Sequence, residues 1–177
     1  MIIAISGLHG TGKSTIAKLL ADKLGILYYS TGQAFRDLAE ENNMSLEEYT
    51  SFVEKHPEID KKLDNKVIDI AKKDDVIIDS QLSGHILKST ANFKIQLNCP
   101  LEVRVKRMAD RDQTSYESKL KETTRREKSE LERFKRLYHI DLSDRKSQKE
   151  FFDLIIDTEH LTIEEIVDKI LTELNKI

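Results

Sequence analysis

Cysteine is nearly missing from this 177-residue chain. Cys99 is the single one, so no internal disulfide braces it and a reducing cytoplasm is the expected setting. No apolar run approaches the length that crosses a membrane. The opening apolar residues reach only from Met1 to Ile5, with no basic flank and no signal-type apolar core. Five histidines, His9, His56, His85, His139 and His160, are scattered without ligand spacing, which speaks against a structural metal site. A surplus of positive charge is absent too. The net charge is −3, which argues against a broad nucleic-acid surface. Repeats, low-complexity tracts and linker-like clusters of Pro, Gly and Ser are also missing. What remains is one soluble, heavily charged domain over 1–177, 38% hydrophobic and 34% charged, long enough for a real core.

Short apolar runs alternate with longer amphipathic ones. Strands are expected at Ile2–Ser6, Leu27–Ser30, Val76–Asp79, Phe93–Asn98 and Leu154–Asp157. Between them, helices are expected near Lys13–Leu24, Gly32–Asn42, Ser45–Lys55 and Pro57–Lys73. Further helices are expected at Leu101–Asp112, Ser115–Tyr138 and Thr162–Asn175. Gly25 is a natural stop for the first helix. Ser45-Leu46-Glu47-Glu48 has the capping-box pattern, and Pro57 is tolerated in a first turn. The alternation implies an α/β fold with a parallel sheet of five strands and helices on both faces. Its ligands belong beyond the carboxyl ends of the strands. Charge is unevenly spread along this pattern. From Arg104 to Arg136 there are twelve Lys/Arg against seven Asp/Glu, so an acidic protein concentrates its arginines in one helical segment. A solvated helix face with pairs such as Glu122–Arg126 is the plain explanation; a local anion site is the functional one.

The sharpest motif is GLHGTGKST. Gly7, Gly12, Lys13 and Ser14 satisfy G-x-x-x-x-G-K-[ST], after an expected strand and at the start of an expected helix. Such a loop turns successive N–H groups toward phosphate oxygens at a helix N-terminus. Gly7, Leu8, His9, Gly10, Thr11, Gly12, Lys13, Ser14 and Thr15 are therefore the expected ATP-binding residues. Lys13 would bridge the β- and γ-phosphates and Ser14 would ligate Mg²⁺. His9 occupies a variable position of the loop and has no individual role. No Asn-Lys-x-Asp element of a GTPase is present; Asn65-Lys66-Val67-Ile68 lacks the aspartate.

The string Tyr29-Ser30-Thr31-Gly32-Gln33-Ala34-Phe35-Arg36 resembles the acceptor signature of nucleoside-monophosphate kinases. MSLEEYTSFVEKHPEIDKKLD, PLEVRVKRMADR, TSYESKLKETTRREKSELERF and YHID extend the likeness along the whole chain, to the archaeal-type (type 2) cytidylate kinases. The resemblance implies a five-stranded P-loop kinase fold, with an acceptor-binding helical region at about 31–73 and a short lid at about 111–140. It implies phosphoryl transfer from ATP, with Mg²⁺, to CMP or dCMP. The expected partners are thus ATP and a nucleoside monophosphate, with no nucleic acid and no membrane, and the protein is expected to be a monomer. Thr31 and Arg36 match the hydroxyl and arginine that hold the acceptor. Arg126, Glu130 and Arg133, spaced i, i+4 and i+7, share a helix face. They match an Arg…acid…Arg pattern around the acceptor, with the acid available to a cytosine amino group. Arg107, and with it Arg104 and Arg111, match arginines that reach donor or transferring phosphates. Lys13, Arg107, Arg126 and Arg133 are the expected catalytic residues.

Two departures from the family pattern stand out. Asp79-Ser80-Gln81 takes the place of an acid followed by Gly-Arg. Asp79 remains suited to a Mg²⁺-bound water beside Ser14. Gln81 puts a neutral amide where the family clamps acceptor phosphate, and such a lost cation costs about 2–4 kcal/mol. Asp64-Asn65-Lys66-Val67 likewise thins the acceptor-side helix, where the family tends to have Asp-Arg-Arg-Gln. Two alternatives therefore stand beside the cytidylate kinase: a kinase for AMP, UMP or a small metabolite, and an ATP-binding regulatory module with a degraded acceptor site.

Overall fold

A computed structural model describes residues 1–73, 75–142 and 144–176. The five strands lie where the apolar runs place them: β1 Ile2–Ser6, β2 Leu27–Ser30, β3 Val76–Asp79, β4 Phe93–Asn98 and β5 Leu154–Asp157. All neighbours pair in parallel, in the order β2-β3-β1-β4-β5. Such strands are covered on both faces, which is why they read as continuous rather than alternating runs. Ile3, Ile5, Ile77, Ile95 and Leu97 face one layer, packed with Ile16, Leu20, Ile166 and Ile170. Ala4, Val76 and Ile78 face the other, with Val67, Ala71 and Leu87.

The first layer is made by α1 (Lys13–Leu24) and α9 (Ile163–Leu174), the second by α4 (Pro57–Ala71) and α5 (Ser83–Ile86). Beside them lie α2 (Thr31–Glu41) and α3 (Leu46–Glu54), which share a small core of Phe35, Tyr49, Val53 and Leu63 with α4. On the other side, α6 (Leu101–Asp112) packs against the long α7 (Tyr116–Tyr138), and α8 (Arg145–Phe151) precedes β5.

Helix α2 starts at Thr31, one residue before its expected position, because the Ser30 hydroxyl accepts from the Gln33 N–H at 3.2 Å. The Ser45–Glu48 capping box is present, and a second one, Thr162–Glu165, opens α9. Helices α5 and α8 were not expected. Each is too short for apolar periodicity to show, and α5 contains Gly84, whose added Cβ would meet Phe152 at 2.5 Å. No helix among the described residues is long and apolar enough to cross a membrane.

Register brings the site together. Asp79 lies opposite both Ile5 and Ser30, so the chain leaves β1, β2 and β3 at one level. The phosphate loop, Thr31 and Ser80-Gln81 thus emerge side by side where the strand order reverses direction about β1, the crevice that open α/β sheets offer to ligands.

Candidate active site

A cavity of about 690 Å³ opens above these strand ends. Its floor is the phosphate loop. Gly10 has φ +80°, and a Cβ there would lie 2.7 Å from the Arg104 carbonyl oxygen. Only glycine tolerates both the left-handed backbone and that approach, so the loop is pressed tightly onto α6. Lys13, in the first turn of α1, is buried and donates through Nζ to the Leu8 carbonyl at 2.9 Å. Burial pulls its ammonium down to about 8, against the attraction of Asp79 and Glu130. Desolvated in this way, it is primed to gain from an anionic partner.

Asp79 is buried at the end of β3 and accepts from the Tyr28 phenol at 2.6 Å. Burial together with Asp79 pushes that phenol up to about 12, against the opposing influence of the Ser30 and Ser14 hydroxyls. Ser14, Tyr28, Ser30 and Asp79 form a compact cluster of hard oxygen donors with one carboxylate. Mg²⁺ takes such a set, completing an octahedron with water and substrate phosphates, so the residues present fit the cation the fold implies. Tyr28 was missed by sequence reasoning; its place two residues before the end of β2, level with Asp79, was the available signal.

The residues expected on the acceptor side line the same cavity. Thr31 Oγ1 is buried with no hydrogen-bond partner. Arg36, at the cavity edge, is held by the Gln33 amide oxygen at 2.9 Å. From α7, Arg133 lies 3.0 Å from Asp60 of α4, but the pair is not aligned for hydrogen bonding. Arg133 Nε and Nη1 and Asp60 Oδ2 are consequently left buried and unsatisfied. Buried groups of this kind normally have partners, and a ligand anion would supply one to the Arg133 guanidinium. Below them Tyr138 donates to Asp64 at 2.5 Å. Burial pushes the Asp64 carboxyl up to about 6, assisted by Asp60 and opposed by the Tyr138 bond. Asp60 and Asp64 are an i, i+4 pair on α4, a spacing visible in the sequence but unused.

The lid trio is brought together, though not as a free set. Arg126 pairs with Glu130 at 2.9 Å rather than with Glu122, which Lys119 takes at 2.7 Å. Glu130 is 3% exposed and also accepts from Gln81 Nε2 at 2.8 Å and from His9 Nε2 at 2.6 Å. Burial opposes its ionisation, yet His9, Arg126 and Gln81 outweigh it and hold the carboxyl well below the usual range. With both oxygens engaged, Glu130 has less to offer a cytosine amino group than the family pattern implies. Gln81 is oriented by the same contact, and its Oε1 is buried without a partner.

The α6 arginines divide. Arg104 is absent from the cavity wall: it forms a buried bidentate pair with Glu127 and donates to the carbonyls of Cys99 and His9. Its task is to hold α6, α7 and the phosphate loop together, which corrects the expectation that it reaches phosphate. Arg107 lines the cavity but is engaged with Thr158 O at 2.6 Å, Thr158 Oγ1 at 3.1 Å and Glu159 O at 3.4 Å. Thr158 Oγ1 in turn donates to Thr11 O at 3.2 Å, so Arg107 braces the loop after β5 against the phosphate loop. Arg111 lines the cavity and pairs with Asp112 at 2.6 Å.

Comparison with known proteins agrees with this arrangement. A family model described as an AAA domain matches residues 3–135. The cytidylate kinase of Aeropyrum pernix is 42% identical over 167 residues, 94% of this chain and 95% of that one. The cytidylate kinase of Methanocaldococcus jannaschii is 34% identical over 180 residues, 100% of this chain and 99% of that one. Among solved structures, shikimate kinase from Bacteroides thetaiotaomicron superposes with a TM-score of 0.64 at 17% identity, covering 100% and 99% of the two chains. That last likeness is one of fold.

Proposed function

The chain belongs to the archaeal cytidylate kinases and is a nucleoside-monophosphate kinase, and on that footing we propose that it transfers the γ-phosphoryl group of ATP to the phosphate of CMP or dCMP. A bond forms between an acceptor phosphate oxygen and the γ-phosphorus. The bond from that phosphorus to the β,γ-bridging oxygen breaks, and ADP leaves with the electron pair. One domain carries out the whole reaction, with the acceptor held by residues 31–73 and covered by the lid at 111–140.

The observation that carries this reading is the division of a single cavity. A phosphate loop stands at one end, and the unpartnered Thr31 Oγ1 and Arg133 Nη1 stand at the other. Lys13, freed from the Leu8 carbonyl, would follow the β- and γ-phosphates. Ser14 and Asp79 would hold Mg²⁺, whose charge neutralises the phosphate oxygens. Arg126 and Arg133 would place cations around the transferring group, where positioning and charge matter more than a base.

Coupled assay of the purified protein with Mg-ATP against CMP, dCMP, UMP and AMP tests the reading. CMP or dCMP is expected to give the highest kcat/KM, and Lys13→Ala to lower kcat by about a hundredfold or more. No turnover with any of the four would sink the proposal. A second acceptor class is favoured by one observation: the Gln81 amide nitrogen is spent on Glu130, leaving its carbonyl oxygen buried and without a partner. That oxygen suits a hydroxyl or amino donor better than a phosphate. Gln81→Arg is expected to raise kcat/KM for CMP about tenfold; no gain would favour the second class.

A further inference from the structure

His9 is the third residue of the phosphate loop, and its side chain leaves the loop to reach the lid helix. Nε2 lies 2.6 Å from Glu130 Oε2 and 3.1 Å from Gln81 Nε2. Glu130 is an ionised carboxylate, so it only accepts. Nε2 of His9 therefore carries a proton and donates it to Glu130, and the neighbouring Gln81 amide is a second donor to the same oxygen. The backbone is pinned as well, since Arg104 Nη1 donates to the His9 carbonyl at 2.8 Å and is itself braced by Glu127. The other ring nitrogen, Nδ1, has no hydrogen bond to the described residues. The ring lines the cavity with its side chain 21% exposed, between the donor loop and the acceptor wall.

An imidazole with a buried carboxylate behind one nitrogen has its tautomer set, leaving the other nitrogen toward the cavity. We propose that His9 is a catalytic residue: as an imidazolium, clamped by Glu130, it donates Nδ1–H to a phosphate oxygen at the junction of donor and acceptor. This rests on the phosphoryl-transfer reading above. No bond to His9 forms, and its proton stays on the ring; the contribution is a fixed positive charge where negative charge is shared between three oxygens. Glu130 and Gln81 are positioning residues for it. The charged groups around the ring are Glu130 and Arg126 from α7 and Arg104 from α6. Lys13 of α1 and Asp79 of β3 line the same cavity.

The first test needs no turnover. In the full chain labelled with ¹⁵N-histidine, the His9 ring signals, identified by their loss in His9→Gln, are followed with pH with and without ATP. Bound triphosphate is expected to move the His9 titration upward by about one pH unit or more. An unmoved titration overturns the proposal even if CMP is phosphorylated. If no monophosphate is phosphorylated but the titration moves, the reaction assignment fails and the contact between His9 and phosphate stands.

The second test is kinetic. His9→Ala is expected to lower kcat about 10- to 100-fold while the CMP dissociation constant stays within about threefold and the ATP constant weakens by no more than the titration shift sets, about tenfold per pH unit. Wild-type kcat should fall as pH rises through the His9 titration, the variant should be flat, and added imidazole should restore part of the rate. His9→Gln keeps an N–H for Glu130 but no charge. Full activity in His9→Gln, or an Ala variant that loses only affinity, would reduce His9 to a structural tie.

Discussion

Asp64 shows how one residue records the strain of this site. Burial first, and Asp60 second, push its carboxyl up to about 6, and the Tyr138 hydroxyl only partly offsets them. The folded state therefore binds a proton more tightly than the unfolded chain between about pH 4 and 6. The group is comfortable when protonated and costs stability once ionised, so this contribution to stability is lost as pH rises through that window. Asp64→Asn keeps an acceptor for Tyr138 and removes the charge. It is expected to be more stable than wild type at pH 7 by about 1–2 kcal/mol, with a flatter stability profile from about pH 4 to 6. Denaturant unfolding at several pH values checks this; a less stable Asn variant at pH 7 would refute it. Glu130 behaves in the opposite sense. Its carboxyl is held low, so its stabilisation is present above the usual glutamate range and is lost on acidification. Two carboxylates on facing elements thus pull against each other, and the sequence shows both but not their environments.

Helix α7 carries most of the cost and most of the order at the next scale. Arg125 pairs with Glu47, Ser129 with Glu54, Arg133 with Asp60 and Tyr138 with Asp64. These partners lie on α3 and α4, so one side of α7 is laced to those two helices. Arg126 and Glu130 face the phosphate loop instead, while Glu127 is buried against Arg104. The i, i+4, i+7 spacing of the lid trio was legible, and the trio does reach one cavity. Its division between phosphate loop and α4 was not legible, because partners on other elements decide it. Arg104 is the clearest case: its charge and spacing resemble those of a phosphate ligand, and only Glu127 shows that it is structural. Glu127→Ala leaves a guanidinium buried without its partner and is expected to cost about 3–5 kcal/mol. The double variant Arg104→Met, Glu127→Leu should recover much of that loss, since it removes both charges. Equilibrium unfolding of the three variants decides; an additive double variant would contradict the buried-pair account.

The whole molecule places two half-sites on one sheet. Lys13 and the Asp79 cluster are already closed by their own hydrogen bonds, whereas Thr31 and Arg133 keep buried polar groups unsatisfied. Ligands that satisfy both halves should stabilise the fold by mass action. Mg-ATP at about a hundred times its dissociation constant contributes about 2.7 kcal/mol. For a chain of this size that is a rise in Tm of about 5–10 °C, expected to be lost in Lys13→Ala; calorimetry or dye melts measure it. The order of the five strands and of seven of the nine described helices, and the phosphate-loop motif, were determined by the sequence alone. Apolar runs, caps and the glycine–lysine spacing act over a few residues and need no distant partner. Which arginines line the cavity, why Tyr28 holds Asp79, and how His9 and Gln81 meet on Glu130 were decided by the tertiary structure. Each depends on groups dozens of residues apart, brought together by strand register and helix packing, with burial setting the charge each one keeps.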